Sequence, residues 1–187
     1  DLKHGPGQKY DIDGDWLEGE WINGVQQDGS GARGWNDGSA YDGDMINNQK
    51  HGNGKFTFPP GDDKNQGSFE GTYDEGKMHG RGTMVYTTGD VYTGDWDHDI
   101  RQGQGTLIGR DKARYEGDWD ADRQHGYGAY EWPNGDMFEG DWVHNTRHGE
   151  GTFTWKNGDT YVGPVRNGKR YVSVCPQLLF ALNCLPS

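Results

Sequence analysis

Tyr115-Glu-Gly-Asp-Trp-Asp-Ala-Asp-Arg-Gln-His-Gly-Tyr-Gly-Ala-Tyr-Glu-Trp-Pro-Asn-Gly-Asp-Met137 is the stretch that decides the fold, because it is one copy of a phrase that returns along the chain. Its leading aromatic recurs at Phe69, Tyr92, Tyr115, Phe138 and Tyr161, four equal steps of 23 residues. Each opening is followed by Gly and a second large side chain, as in Tyr92-Thr-Gly-Asp-Trp96 and Phe138-Glu-Gly-Asp-Trp142. Ten or so residues on comes a second phrase: His79-Gly-Arg-Gly82, Gln102-Gly-Gln-Gly105, His125-Gly-Tyr-Gly128 and His148-Gly-Glu-Gly151. A fixed period in this range means a stacked repeat array, in which each unit buries its apolar side against its neighbours.

Two looser units lie upstream, Leu17-Glu-Gly-Glu-Trp21 with Asp28-Gly-Ser-Gly31, and Tyr41-Asp-Gly-Asp-Met45 with His51-Gly-Asn-Gly54. The step from Tyr41 to Phe69 is 28 residues, and Pro59-Pro-Gly-Asp-Asp-Lys-Asn65 holds the excess as a lengthened turn. His4-Gly-Pro-Gly7 reads as the tail of a unit whose front half is missing, so the array is expected to begin before residue 1.

Composition alone would suggest disorder. Leu, Ile, Val and Phe make up about 14% of the 187 residues, and the formal charge is −12. The 24 aromatic residues reverse that reading, since most stand at repeating positions and each buries a large area at the cost of few torsions. A chain so poor in aliphatics builds a thin seam between repeats rather than a central core. No apolar run approaches the ~18 residues of a membrane-spanning helix. The acidic balance opposes nucleic acid and disfavours contact with anionic lipid. The two cysteines, Cys175 and Cys184, fall in the last 13 residues, which excludes a disulfide scaffold and favours a reducing compartment.

Within a unit, Tyr92, Gly94 and Trp96 alternate with Thr93 and Asp95, the period-two signature of a strand. Asn157-Gly-Asp159, Asn134-Gly-Asp136 and Thr88-Gly-Asp90 supply turns at one end, and segments such as Asp74-Glu-Gly-Lys77 at the other. The expected fold is therefore all-β, an elongated, single-layer, twisted antiparallel sheet of tandem hairpins over residues 1–170. About seven units, the first partial, give a ribbon roughly 65 to 70 Å long before twist. Glycine weakens a strand unless something must approach the backbone, so rings are expected to lie over the bare glycines of the next strand. The opposite face, rich in Asp, Glu and Thr, reads as solvated. Residues 171–187 leave the repeat, and Leu178, Leu179, Phe180 and Leu182 are expected to form a short helical or irregular cap, or a docking segment.

The stretch from Leu17 to Arg170 resembles the MORN (membrane occupation and recognition nexus) repeat family, whose unit runs Tyr-x-Gly-x-Trp, His-Gly-x-Gly, then Asn-Gly or Asp-Gly. Leu17, Asp28 and Gln102 depart from that pattern, and Tyr161-Val-Gly-Pro-Val165 reads as the end of the array. The resemblance implies hairpin units in a grooved sheet. It also implies a scaffolding role in cytoskeletal, axonemal or membrane-associated assemblies, or beside an enzymatic domain.

No catalytic signature is found: there is no nucleophile with a base, no paired-carboxylate signature, and the Gly-rich phrases do not open a helix that could hold phosphate. His51, His79, His125 and His148 recur at one repeat position but lie about 10 Å apart by strand spacing, too far to share one ion, and are read as turn residues. Asp11-Ile-Asp-Gly-Asp15 lacks the Gly and Glu of a calcium loop and is read as a hairpin turn. No cofactor is expected. The expected function is a non-catalytic scaffold gripping a partner protein along its aromatic groove, through Trp96, Trp119, Tyr130, Trp132, Trp142, Phe153 and Trp155. A carbohydrate- or choline-type binding module, or the regulatory repeats of an enzyme, are the alternatives. The expected setting is cytoplasmic, at the cytoskeleton or a membrane, or an organelle after removal of a targeting segment; self-association through the sheet ends is a further expectation.

Overall fold

The structure is a computed structural model and describes residues 2–61, 63, 64 and 66–171. The strands are β1 (Gly5–Tyr10), β2 (Trp16–Ile22), β3 (Val25–Gln26), β4 (Gly29–Gly34), β5 (Ala40–Ile46), β6 (Gln49–Thr57), β7 (Gln66–Asp74) and β8 (Lys77–Tyr86). They continue with β9 (Val91–Asp97), β10 (Ile100–Ile108), β11 (Arg114–Asp120), β12 (Arg123–Glu131), β13 (Met137–Val143), β14 (Thr146–Thr154), β15 (Thr160–Arg166) and β16 (Lys169–Arg170). All belong to one open antiparallel sheet whose strand order follows the chain, with β3 paired only to β2. The all-β tandem-hairpin sheet expected from the sequence is the observed fold. Residues Cys175, Leu178, Leu179, Phe180, Leu182 and Cys184, and with them the expected cap, lie outside the described residues.

The register places a row of glycines straight across the ribbon. Gly82 pairs with Gly94, Gly94 with Gly105, Gly105 with Gly117 and Gly117 with Gly128, and the row runs unbroken from Gly31 to Gly163. The leading aromatics fill the trough this row leaves. A Cβ on Gly94 would lie 2.6 Å from the Gly105 Cα, and one on Gly105 would strike the Tyr92 ring. Tyr41, Phe69, Tyr92, Tyr115 and Phe138 are consequently among the most deeply buried side chains, at 0 to 1% exposure. Neighbouring rings meet edge-on, as Tyr92 does with Trp119 at 5.1 Å and Tyr115 with Trp142 at 5.2 Å between centroids.

The His-Gly-x-Gly phrase, whose histidines are read from the sequence as turn residues, lies inside the second strand of the hairpin as a bulge. Trp96 faces Arg101 and Gly94 faces Gly105, so β10 spends two more residues than β9 over the same span. The first glycine of the phrase takes the left-handed conformation, with φ of 69° at Gly103 and 57° at Gly126, while the second makes room for the ring. The recurring Asp of the openings holds the bulge: Asp95 Oδ2 accepts the Gln104 amide at 2.9 Å, Asp118 Oδ2 that of Tyr127 at 2.7 Å and Asp141 Oδ2 that of Glu150 at 2.9 Å. These carboxylates are therefore structural ligands of the backbone, a correction to their reading as a purely solvated set.

Both ends of the hairpins are fixed by turn chemistry. Glu75–Gly76, His98–Asp99, Ala121–Asp122 and His144–Asn145 each carry two positive φ values, the two-residue turn whose twist matches the strands. At the other end, the Asn134-Gly-Asp136 loop closes with Trp132 N donating to Asp136 O at 2.9 Å, and Asp136 Oδ1 accepts the Lys156 amide of the next loop at 3.0 Å. Asp11 Oδ1 likewise accepts the amides of Asp13 and Asp15 at 3.0 and 3.1 Å, confirming a hairpin turn there.

Candidate functional site

The aromatics divide into two sets. Trp96, Trp119 and Trp142 are 4% exposed, and each indole N–H donates to a glycine carbonyl of the preceding hairpin. Their expected place among partner-contacting residues is corrected: they are the mortar between repeats, closed to a partner. Tyr130, Trp132, Phe153 and Trp155 are only partly buried; the first three pack against that core and Trp155 stacks on Phe153.

Trp132, Phe153 and Trp155 line one cleft near the end of the described sheet, and Tyr130 packs beside it against Trp132. Trp132 lies parallel to Phe153 at 6.5 Å and 15°, and Phe153 to Trp155 at 6.1 Å and 18°. Tyr130 meets Trp132 edge-on at 4.8 Å. The cleft encloses about 570 Å³ and is completed by Asn134, Asp136, Met137, Arg147 and the β15–β16 turn through Arg170. The sequence brings the rings together because Tyr130 and Phe153 lie on β12 and β14, on the face shared with the glycine row, and Trp132 and Trp155 follow directly after those strands.

Cations on this face were not anticipated. The Arg147 guanidinium stands 4.9 Å from Trp132 and 5.1 Å from Phe153, and that of Arg170 stands 4.9 Å from Trp155 and 5.7 Å from Tyr161. Arg101 covers Trp119 at 4.4 Å and Lys50 covers Phe56 at 4.0 Å. All four precede the His-Gly phrase or its equivalent, so the signal was present in the sequence as a periodic position. Burial pushes the Arg147 and Lys50 pKa values down from their ordinary range. The groove of this acidic chain is thus aromatic and carries Arg147, Lys169 and Arg170 against the single carboxylate of Asp136. Stacked rings with a guanidinium at each flank suit an apolar or proline residue next to a carboxylate.

Near the two-residue turns, His51 Nδ1 lies 3.5 Å from Asp74 Oδ1 in a partly exposed pair. His79 and His125 each adjoin a second histidine and an aspartate, the groupings most suited to a metal among the described residues.

A single-layer ribbon of bulged hairpins with an aromatic, cation-flanked groove defines a tandem β-repeat protein. The MORN repeat pattern matches residues 41–63, 69–91, 92–114, 115–137 and 138–160, more than half of the chain, which belongs to that family. Alsin of Rattus norvegicus and Alsin of Homo sapiens are each 32% identical over 77 residues, covering 41% of this chain and 5% of theirs. The chain therefore spans a small fraction of the length of these relatives. Among solved structures, the SAS-4 (dCPAP) TCP domain of Drosophila melanogaster, in complex with a proline-rich motif of Ana2 (dSTIL), superposes with a TM-score of 0.51 at 9% identity, over 85% of this chain and 84% of that one. That likeness is one of fold.

Proposed function

We propose that this chain is a non-catalytic protein-interaction module that grips an extended segment of a partner protein in the Trp132–Phe153–Trp155 cleft, as a structural subunit of a larger assembly. The observation that carries the reading is the pair of parallel ring contacts opening onto a cleft flanked by Arg147 and Arg170. A single-layer sheet has no second layer to cover such rings, and large partly exposed aromatics with arginine are the residues that dominate binding energy at interfaces. The proline-rich peptide held by the similarly folded SAS-4 domain supports a peptide as the occupant. The cations favour a segment that places an acidic residue beside its apolar or proline residue. Repeats of this family imply a cytoplasmic assembly at the cytoskeleton or a membrane.

The choline-type alternative gains no support, because a quaternary ammonium needs ring faces that Arg147 and Arg170 already approach. The test is recovery of bound proteins from native extract by the wild-type chain and by Trp132→Ala/Trp155→Ala, with the partner segment then located by cross-linking. Loss of a defined partner in the variant is the expected result. Unchanged recovery of every partner removes the cleft from the function.

A further inference from the structure

We propose that His79, Asp97 and His98 bind a divalent transition metal ion of the zinc type, and that Asp120, His125 and His144 bind a second. The donor atoms of each group lie within 4.8 Å of one another. Asp97 Oδ1 lies 3.4 Å from His79 Nδ1 and 2.5 Å from His98 Nδ1. Ligands 2.0–2.1 Å from a tetrahedral zinc are about 3.4 Å apart, so His98 need only open from the carboxylate by about an ångström to admit the ion. The ring centroids of His79 and His98 are 5.1 Å apart and those of His125 and His144 5.2 Å, two similar pairs at corresponding places in the ribbon.

Two further observations separate these groups from ordinary turn histidines. His79 Nδ1 and His125 Nδ1 are closed to solvent, and neither makes a hydrogen bond of normal geometry, the long approach of Asp97 to His79 being the one polar contact at hand. In the unit between them Gln102 takes the same position, and its Oε1 accepts the Ala121 amide at 3.0 Å, so the position offers a hydrogen bond that the two imidazoles leave unmade. That middle unit has Gln102 and Ala121 in place of both histidines and serves as an internal control. Two imidazoles and one carboxylate, with water in the fourth position, form a nitrogen-rich set that favours zinc, cobalt, nickel or copper over calcium and magnesium. His79 comes from β8 whereas Asp97 and His98 come from the end of β9 and its turn, so the ion would rivet successive hairpins at the two-residue-turn end of the ribbon.

The test uses the whole chain with Cys175→Ser and Cys184→Ser, so that no thiol supplies a ligand. It is titrated with Zn²⁺ by calorimetry and with Co²⁺ by absorption. His98→Asn and His144→Asn remove one imidazole from each site while keeping the turn, since Asn23, Asn47 and Asn167 hold the matching left-handed position in other hairpins. Two equivalents per chain are expected, with tetrahedral cobalt bands. Each variant should weaken one equivalent by about tenfold or more, the scale on which even outer partners of a metal ligand matter. An absence of saturable binding overturns the proposal. So does binding that persists unchanged in the double variant, which would be diffuse adsorption to an acidic chain. Neither result bears on the partner cleft.

Discussion

The indole N–H of Trp119 donates to the carbonyl of Gly105 at 3.1 Å, and the two residues, fourteen apart, belong to successive hairpins. Trp142 makes the same bond to Gly128 at 3.0 Å, Trp96 to Gly82 at 3.4 Å and Trp21 to Gly7 at 2.7 Å. The glycine brings no side chain of its own, so the leading aromatic of its repeat lies against it and the tryptophan of the next repeat can still reach its carbonyl. One pair of residue types therefore supplies both packing and a directional bond at each repeat boundary. Stability in such an array is a sum over these boundaries.

Trp119→Phe tests that bond. The ring remains in the seam, but the Gly105 carbonyl loses its buried donor, an expected cost of about 1–3 kcal/mol. Trp119→Ala adds the cavity and should cost about 3–5 kcal/mol. Denaturant unfolding, comparing midpoints at fixed slope, measures both. A midpoint for Trp119→Phe equal to that of the parent would exclude the indole bond from the energetics.

The two glycines of the Gln102-Gly-Gln-Gly105 phrase have different tasks, and substitution should tell them apart. Gly103 needs a left-handed backbone at φ 69° and a Cβ there would press on the movable Asp95 carboxylate at 2.9 Å, so Gly103→Ala is strained by about 1 kcal/mol or somewhat more and Gly103→Asn by less. Gly105 needs space, because any Cβ there strikes the Tyr92 ring. Gly105→Ala should cost about 1–3 kcal/mol or more, as overpacking does. Thermal midpoints in the order Gly103→Asn, Gly103→Ala, Gly105→Ala, highest first, are expected.

Much of this was legible because the chain repeats. The 23-residue return of Phe69, Tyr92, Tyr115, Phe138 and Tyr161 fixes the unit, and Gly94 on the face of Tyr92 and Trp96 implies a ring over backbone. Other features depend on what lies across the sheet. Trp96 and Trp132 look alike as alternating aromatics, yet Trp96 is closed by Gly82 of the preceding hairpin whereas Trp132 sits at the outer edge. The extra residues of the bulge appear only once both strands are in register, so the role of Asp95 stays hidden until Gln104 is placed beside it. The row of Lys50, Arg101, Arg147 and Arg170 was periodic but hidden by a net charge that averages over the whole surface.

Buried phenols make the array sensitive to alkali. Burial, with the nearby Asp44 charge, holds the Tyr41 hydroxyl neutral up to about 12, and burial likewise raises Tyr73, Tyr92 and Tyr115. An unfolded tyrosine ionises near 10, so the stability from these groups is complete below that pH and is lost as pH rises through the folded values. Each such tyrosine should contribute about 1.4 kcal/mol of destabilisation per pH unit in that window. Denaturant midpoints followed across it should fall steeply, and Tyr41→Phe should make the fall shallower. An unchanged slope in that variant would remove Tyr41 from the effect.

Arg147 separates the groove's binding role from its packing role. Its guanidinium faces Trp132, Phe138 and Phe153 at 4.9, 5.6 and 5.1 Å, while its aliphatic stem covers the seam. Arg147→Met preserves most of that cover and removes the charge, so stability should change by no more than about 1–2 kcal/mol, the scale of a partly desolvated cation over rings. Binding should suffer more. If the partner places a carboxylate beside its apolar residue, the parent complex weakens as salt rises, and the methionine variant starts weaker and responds less. Fluorescence titration of Trp132 and its neighbours with the recovered partner segment, at low and high salt, reads both effects. Equal affinity and equal salt dependence in parent and variant would show that the rings alone hold the partner and that the row of cations serves only the sheet.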